Sequence, residues 1–335
     1  MWCRQVTLIA ALLCSTASIL YCTYDCLSAS KCSYNPFDNS CKWVVLYSTQ
    51  RSGTSWLMEL LSSHPKMWLD LELFVMKKGG RFYRYVEGHV ANFSKTSNSH
   101  RKTRASKYVI RFLEDYFENV LRKTCAQQQQ RRVCGFKLMY NQAHMFPAIW
   151  KFLQSKQFFV IHLVRENLLD IQLSSQRARE TRRSHCPIGR CNITQERERS
   201  YLLQPSSLLR DLKMINRSRQ RAELKLENSG LKYVEISYEK LISMDSPPLS
   251  NASELQGGTI QPNAAENLMS QETLNRKPAY QEMCKLLHFL HYPCSDINLL
   301  HTSQQKIIVK SHREVIANFD ELEATLAGTE WASQL

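Results

Sequence analysis

The fold is decided by the stretch Trp43-Val44-Val45-Leu46-Tyr47-Ser48-Thr49-Gln50-Arg51-Ser52-Gly53-Thr54-Ser55-Trp56-Leu57. Its first six residues form a nearly continuous apolar run, which is typical of a strand buried on both faces of a parallel sheet. A short polar turn follows. The next segment has helical periodicity, with its apolar residues on one face: Trp56, Leu57, Leu60 and Leu61. The order of strand, polar turn and helix predicts the first unit of an α/β fold.

Three further apolar runs have the same character and predict strands at residues 133–140, 158–164 and 231–237. Helical periodicity lies between them, with one apolar face in residues 108–121 and another in residues 280–290. Strands that alternate with helices predict βαβ crossovers and a central parallel sheet flanked by helices. Two polar stretches predict exposed segments, a loop at residues 92–107 and an insertion at residues 244–277.

Length and composition set the class of protein. The chain has 335 residues, of which 43% are hydrophobic, and this composition excludes a wholly disordered protein. With 10 Gly and 10 Pro, it is not a collagen-like or linker-like chain. Lys and Arg number 44 against 30 Asp and Glu, so the net charge is +14. Such an excess favours anionic partners, which include phosphate or sulfate groups, acidic glycans, nucleic acid and membrane surfaces.

The N-terminal segment predicts a membrane anchor. Residues 6–24 carry no charge and are mainly apolar, and about 20 such residues form a helix that crosses a bilayer. The single Arg4 before them favours a cytosolic tail at residues 1–5. A stalk at 25–41 and a folded domain at 42–328 would then lie in the lumen. The alternative is a cleaved signal peptide, which would release the same domain into the secretory pathway.

Cysteines and glycosylation motifs agree with a luminal location. The chain has 12 Cys, several of them in local couples: Cys32 with Cys41, Cys125 with Cys134, Cys186 with Cys191, and Cys284 with Cys294. Disulfides persist in oxidising compartments, although the sequence alone leaves their connectivity open. Glycosylation motifs begin at Asn92, Asn192, Asn216 and Asn251. Zinc is not expected, because the cysteines lack the usual ligand spacing.

The polar turn after the first strand has the composition of an anion-binding loop. A strand followed by a turn and a helix directs free backbone N–H groups and the positive helix end at an anion. Gly53 allows close approach, Thr54 and Ser55 supply hydroxyl groups, and Arg51 adds a positive charge. The alternative is an ordinary capped turn. The chain contains no Walker A sequence, which disfavours an ATP-dependent kinase.

At this turn the chain resembles the sulfotransferases that use 3′-phosphoadenosine 5′-phosphosulfate (PAPS). Arg51-Ser52-Gly53-Thr54-Ser55-Trp56 is similar to their 5′-phosphosulfate loop. Their second signature is a strand that ends in Arg, followed by a helix that carries Ser. Arg165 and Ser174 match it, and the spacing of nine residues is closest to the nodulation-factor and mycobacterial glycolipid branch. The resemblance runs from about residue 43 to 328, with further landmarks at residues 135–140, 238–241 and 318–322.

The resemblance implies a fold, a co-substrate and a set of binding residues. The fold would be the P-loop NTPase-like sheet of the sulfotransferases, and the co-substrate would be PAPS, without a metal. The implied nucleotide-binding residues are Arg51, Ser52, Gly53, Thr54, Ser55, Trp56, Arg165 and Ser174. Arg51 would also stabilise charge during catalysis. Cytosolic relatives carry Lys at this position, so Arg51 is a substitution that keeps the charge but is a poor proton donor.

The resemblance also implies a general base. Glu72, in Glu72-Leu73-Phe74, matches the carboxylate that deprotonates the acceptor hydroxyl. Apolar neighbours at positions 68, 69, 71, 73 and 74 would make it a stronger base by excluding water. The alternatives are a solvated surface carboxylate at Glu72 and a catalytic role for His64, although a structural role suits a histidine that precedes Pro65.

Together these features predict a Golgi membrane enzyme with a luminal catalytic domain, which transfers sulfate from PAPS to a hydroxyl group of a glycan. The alternatives are an inactive luminal glycan-binding relative and a nucleotide-dependent kinase on a related fold. The basic clusters 101–104, 131–132 and 177–183 are interpreted as solvated faces, with binding of an acidic glycan as the alternative. Nucleic acid is not an expected partner. The acceptor and the oligomeric state are not predicted.

Overall fold

The computed structural model describes residues 41–95, 97–127, 132–183, 192–242, 278–304, 308 and 310–335. A five-stranded sheet forms the centre of this part of the chain, in the order β2-β3-β1-β4-β5, and every pairing is parallel. The strands are β1 (Lys42–Ser48), β2 (Met67–Glu72), β3 (Val133–Met139), β4 (Phe159–Val164) and β5 (Tyr233–Ser237). The predicted α/β fold with a central parallel sheet and flanking helices is confirmed.

Helices connect and cover the strands. They are α1 (Thr54–Ser62), α2 (Arg81–His89), α3 (Asn98–Ser106), α4 (Val109–Tyr116), α5 (Lys123–Gln127), α6 (Tyr140–Met145), α7 (Ala148–Ser155), α8 (Leu168–Thr181), α9 (Ile193–Glu198), α10 (Pro205–Glu227), α11 (Tyr238–Ile242), α12 (Pro278–Phe289), α13 (His312–Val315) and α14 (Phe319–Leu326). A π-helical segment, Phe117–Arg122, joins α4 to α5. Short 3₁₀ turns lie at Phe93–Lys95, Cys294–Leu299 and Ala332–Gln334.

Strand β1 is buried on both faces, as its apolar run predicts. Successive side chains of a strand point to opposite faces, and the two faces of β1 contribute to two separate hydrophobic clusters. Val45 and Tyr47 belong to the cluster that includes the apolar faces of α4 and α7. Val44 and Leu46 belong to the cluster that includes those of α1 and α12. Each cluster buries large aliphatic and aromatic side chains, so the sheet is covered by helices on both sides.

A third cluster extends the fold to the end of the chain. It joins α8, α10 and α14 and includes Trp331, which is buried. Close by, Gln334 accepts hydrogen bonds from the backbone N–H groups of Leu168 (2.8 Å) and Leu169 (3.3 Å) in the first turn of α8. The compact unit therefore spans Ser40–Leu335 and continues past the boundary predicted at residue 328.

Two elements differ from the sequence-based expectations. Strand β2 was not predicted, because Asp70 and Glu72 interrupt its apolar pattern. The loop expected at residues 92–107 was a wrong prediction: it contains the 3₁₀ turn Phe93–Lys95 and helix α3. The few apolar residues of segment 92–107 explain the difference, since Phe93 and Ala105 are fully buried and fix the segment against the core.

The structure supports two of the four cysteine couples. Cys125 and Cys134 lie at disulfide distance, with their Cα atoms 6.3 Å apart, and so do Cys284 and Cys294, with 4.8 Å between Cα atoms. In the other two couples, at least one member lies outside the described residues. The predicted anchor at 6–24, most of the stalk and the insertion at 244–277 also lie outside the described residues. Within the described residues, no helix has both the length and the apolar character needed to cross a bilayer.

Candidate active site

The sheet topology produces a crevice between the carboxyl ends of β1 and β4. From β1 the chain moves past β3 to the edge strand β2, whereas from β4 it moves to β5 on the other side. The connections that leave β1 and β4 therefore diverge. In open parallel sheets, ligands bind at this kind of switch point, beyond the carboxyl ends of the strands. The predicted loop at 51–56 follows β1, and Arg165 follows β4, so both border the crevice.

The loop after β1 has a special backbone conformation. Arg51 and Gly53 have φ angles of +69° and +79°, in the left-handed region, and Gly53 is the N-cap of α1. A Cβ atom on Gly53 would lie 2.2 Å from a ring carbon of Tyr238. Position 53 therefore needs glycine for two reasons, a positive φ and the close approach of an aromatic ring. The loop leaves the first N–H groups of α1 without a side-chain cap.

The two predicted signatures contact each other. Both Nε and Nη2 of Arg51 donate to the Ser174 hydroxyl, at 3.1 and 3.0 Å. Arg165 donates through Nη1 to the backbone carbonyl of Arg51, at 3.0 Å. Arg51 and Ser174 are 123 positions apart in the sequence. They meet because α8, which carries Ser174, begins at the crevice.

Arg165 is held in position by several groups. Its Nη2 donates to Asp170 (2.8 Å), and its guanidinium lies over the Tyr238 ring, 4.9 Å from the centroid. Its Nε is buried without a hydrogen-bond partner among the described residues, and the nearest carboxylate oxygen, on Glu239, is 3.9 Å away. Asp170 in turn contacts His312 (2.8 Å). Arg165 is therefore fixed at the edge of the crevice with one N–H group still able to donate.

The Asp170 carboxylate is ionised because of these contacts. Burial alone would raise its pKa, but the hydrogen bond from His312 and the charge of Arg165 outweigh burial and lower the pKa to about 2. The carboxylate thus holds the Arg165 guanidinium and the His312 ring in place. Asp170 and His312 also line a cavity of about 410 Å³, together with residues of the segment before α13.

Three guanidinium groups make the crevice electropositive. Burial, together with the nearby charges of Arg177 and Arg165, lowers the pKa of Arg51 to about 10. Arg177 lies one turn beyond Ser174 on α8 and is only 2% exposed, with its Nη1 3.7 Å from Glu196. The interpretation of residues 177–183 as a solvated face is therefore wrong for Arg177. Like charges that destabilise one another in a buried site are stabilised by an anion.

Hydroxyl groups complete the loop. The Ser52 hydroxyl is fully buried, and the described residues offer it no hydrogen-bond partner. Thr54 is buried, while Ser55 and Trp56 are half-buried. Trp56 contacts the Tyr238 ring edge-on, with 6.2 Å between ring centroids. A buried hydroxyl without a partner is costly, so Ser52 marks a place that a hydrogen-bonding ligand can complete.

Glu72 lies at the carboxyl end of β2 within a polar cluster. One carboxylate oxygen is 3.0 Å from Lys137 Nζ, and the other accepts from Gln142 Nε2 at 2.9 Å. Lys137 also donates to the Ser55 hydroxyl, at 3.3 Å. The prediction of an apolar pocket around Glu72 is therefore wrong, and Leu71, one of the residues expected to line that pocket, is 67% exposed. Instead, a buried ammonium group links the candidate base to the loop.

Lys137 was not predicted as a site residue. It lies within an apolar run, and its partner Glu72 belongs to the neighbouring strand. The alignment of β2 with β3 places Glu72 opposite Lys137. A charged residue inside a predicted buried strand is the one feature that indicated a partner.

The other candidate base, His64, lies elsewhere. It precedes β2, and its carbonyl accepts from Met67 N, whereas Glu72 ends that strand about 16 Å away. Its Nδ1 accepts from the Lys66 backbone (3.1 Å), and Nε2 lies 3.2 Å from Asp296. Burial lowers the pKa of His64, against the opposing effect of Asp296. These contacts give His64 a structural role at the opposite edge of the sheet.

Comparison with known proteins adds no further assignment. No protein-family model matches the chain, and no curated protein sequence is similar to it. The geometry of the crevice is therefore the basis for the function.

Proposed function

We propose that the chain is a PAPS-dependent sulfotransferase that transfers a sulfuryl group to a hydroxyl of a glycan in the Golgi lumen. The proposal includes the finer fold, a P-loop NTPase-like sheet, and an anchor at residues 6–24. The main support for the proposed function is the contact of Arg51 with Ser174. This contact brings the loop after β1 together with the segment after β4, and these are the two segments that would bind the two ends of one nucleotide.

The loop suits the 5′-phosphosulfate end of PAPS. Its left-handed backbone opens helix α1 with uncapped N–H groups, which bind anions. Arg51 adds a cation, and Ser52 adds the buried hydroxyl without a partner. These are fixed donors in a partly buried site, where they stabilise negative charge more strongly than in water.

Arg165 and Ser174 suit the 3′-phosphate end. Arg165 has a free N–H group, and its orientation is set by Asp170 and Tyr238. Ser174 accepts from Arg51, and a phosphate oxygen can take over that acceptor role. The excess positive charge of the three arginines would be balanced by the phosphates.

The reaction is an in-line displacement at sulfur. The acceptor hydroxyl oxygen forms a bond to sulfur while the bond from sulfur to the bridging phosphate oxygen breaks. The electron pair of that bond remains on the phosphate oxygen, and 3′-phosphoadenosine 5′-phosphate (PAP) leaves. Arg51 and the loop N–H groups stabilise the charge that develops on the bridging oxygen and the sulfuryl oxygens. The acceptor proton passes to a carboxylate.

Glu72 is the proposed carboxylate. Lys137 forms an ion pair with it at 3.0 Å and also donates to Ser55 of the loop, so the base and the sulfuryl group would be held by one network of contacts. Gln142 fixes the second oxygen. Because Lys137 is only 6% exposed, its charge is weakly screened and adds to that of Arg51.

Two features support a luminal location. Cysteine pairs at disulfide distance occur in two places, and Asn92 of a glycosylation motif is exposed in a turn. Both features are expected of a domain that matures in an oxidising compartment.

Calorimetric titration of the purified luminal domain with PAPS, PAP and ATP tests the function. We expect PAPS and PAP to bind and ATP to bind at least tenfold more weakly, because the loop lacks a Walker A lysine. Binding of ATP without PAPS would favour the kinase alternative. Binding of no nucleotide by a folded protein would favour the inactive glycan-binding relative.

A further inference from the structure

The segment that follows Glu72 is strongly basic. Residues 73–107 contain nine Lys and Arg and a single acidic residue, Glu87, so 9 − 1 = +8 of the net charge of +14 lies in these 35 positions. The basic residues are Lys77, Lys78, Arg81, Arg84, Lys95, Arg101, Lys102, Arg104 and Lys107. By contrast, the exposed helix α10 mixes six basic with three acidic residues, and its Arg219 and Glu223 form an ion pair at 2.7 Å.

The basic segment begins beside the candidate base. The backbone N–H of Phe82, in the first turn of α2, donates to the carbonyl of Leu73, the residue after Glu72 (3.2 Å). The guanidinium of Arg81 forms an ion pair with Asp70, two residues before Glu72. These contacts fasten the start of α2 to the carboxyl end of β2, at the same edge of the sheet as the crevice.

The fold leaves several of these cations exposed. Helix α2 buries Phe82, Tyr83 and Val86, which directs Arg84 to the opposite, solvent-facing side. Lys77 and Lys78 lie in the exposed turn before α2, which is closed by the hydrogen bond of Gly80 N to Lys77 O (2.9 Å). Lys77, Lys78 and Arg84 form no ion pair with any described residue. Solvation alone does not require cations of one sign, since mixed charges serve it equally well.

The exposed side of the segment is also hydrophilic. Its large apolar side chains are buried or half-buried, with Phe82 and Phe93 fully buried, while Ser94, Ser97, Ser99 and Thr103 share the exposed side with the cations. A peptide partner normally makes apolar contacts, and none of the exposed large hydrophobic residues in the described part of the chain lies in this segment. A hydrophilic chain with repeated negative charges is the complementary partner.

We infer that the acceptor is an anionic glycan, which bears carboxylate or sulfate groups and binds along Lys77, Lys78 and Arg84 with its reacting hydroxyl at Glu72. This inference rests on the proposed function and specifies its substrate class. The exposed cations attract the chain and align it, while chemistry takes place at the crevice.

The test compares two triple variants of the full chain. One replaces Lys77, Lys78 and Arg84 with Ala. The matched control replaces Lys151, Lys213 and Arg221, which are also exposed but lie on α7 and α10, so the same charge is removed outside the basic segment. The probes are chondroitin, which has one carboxylate per disaccharide, and the same polysaccharide after its carboxylates have been reduced to alcohols. Affinity is measured at low salt with PAP present, and PAP affinity is measured separately.

We expect chondroitin to bind the native protein and the control about equally, and the Lys77/Lys78/Arg84 variant roughly tenfold or more weakly. The reduced polysaccharide should bind all three proteins weakly, and PAP affinity should be unchanged throughout. Equal binding of the two polysaccharides, or equal losses in both triple variants, would overturn the inference. Transfer of labelled sulfate to an acidic peptide that contains tyrosine, but to no glycan, would also overturn the inference. The same is true if the Lys77/Lys78/Arg84 variant lost binding only to phosphatidylserine vesicles and still bound chondroitin. Absence of PAP binding by the native protein would instead overturn the proposed function, even if chondroitin still bound.

Discussion

Asp170 connects Arg165 with His312, and its ionised carboxylate is part of what holds these two side chains in place. Its carboxylate accepts from Arg165 and contacts His312, and its pKa lies at about 2 against an ordinary 3.8. A depressed carboxyl pKa contributes stability that is complete above the unfolded-state pKa and is lost as the pH falls through the folded-state value. For Asp170 this contribution is about 2 kcal/mol.

Asp170→Asn should therefore lower the free energy of unfolding by about 2 kcal/mol at neutral pH, and the difference from the native protein should shrink between about pH 4 and pH 2. Urea denaturation of both proteins across this range measures the difference. A difference that is independent of pH would show that Asp170 acts by packing alone.

The Glu72 carboxylate is the residue on which turnover should depend. Glu72→Gln keeps the size and the contact with Gln142 but loses basicity, so we expect kcat to fall by about 10²–10⁴ while PAPS affinity is retained. His64→Asn is the matched variant. Because His64 is buried against Asp296, its loss should reduce stability and leave kcat of the folded enzyme within about twofold. A Glu72→Gln enzyme with native kcat would remove Glu72 from the mechanism.

Several site residues could be predicted from the sequence because their signals are local. Arg51, Gly53 and Arg165 follow apolar strand runs and lie in short recognisable patterns. Lys137 and Arg177 could not be predicted in the same way. Their burial is made possible by Glu72 and Glu196, which other elements supply, and no local pattern records such a pairing.

Among secondary-structure elements, the junction of β1 with α1 is the most constrained. Gly53→Ala would place a methyl group 2.2 Å from Tyr238 and would also require an unfavourable positive φ. We expect a loss of at least 2 kcal/mol of stability, since the left-handed conformation alone costs about 1–2 kcal/mol and the clash adds to it, together with loss of PAPS binding.

Two other glycines separate these causes. Gly79 has a positive φ with open space around it, so Gly79→Ala should show the backbone cost alone. Gly88 has neither restriction and lies in α2, so Gly88→Ala should be neutral or stabilise by about 0.5–1 kcal/mol. Thermal denaturation of the three variants checks this order. Equal effects at positions 53 and 79 would show that Tyr238 yields without cost.

A strand could be predicted from the sequence where both of its faces are buried, but not where charged residues interrupt its apolar pattern. Four strands appear as apolar runs, whereas β2 carries Asp70 in its interior. That carboxylate is compensated by Arg81 and by Tyr116, whose hydroxyl donates to it at 2.7 Å. Both partners come from later elements, so the sequence of β2 alone did not indicate a strand.

For the whole chain, the proposed luminal location predicts which glycosylation motifs carry a glycan. Asn92 is exposed in a turn, whereas Asn216 is half-buried within α10. Protein made in animal cells should therefore carry an N-glycan at Asn92 and none at Asn216. Glycosidase treatment should shift the native protein and the Asn216→Gln variant equally, and the Asn92→Gln variant less. An unshifted native protein would contradict passage through the secretory pathway.

One titration shows directly whether the crevice between β1 and β4 binds a nucleotide with a 3′-phosphate. PAP and 5′-AMP differ only by that phosphate, and Arg165→Ala removes its proposed partner. Arg179→Ala, an exposed arginine on the same helix as Ser174, is the control. A charge-assisted contact of about 1.5–3 kcal/mol predicts that native protein and control bind PAP at least tenfold more tightly than 5′-AMP, and that Arg165→Ala loses most of this preference. A native protein that binds both nucleotides equally, or an Arg165→Ala variant that keeps the full preference, would show that the crevice does not bind a 3′-phosphate through Arg165.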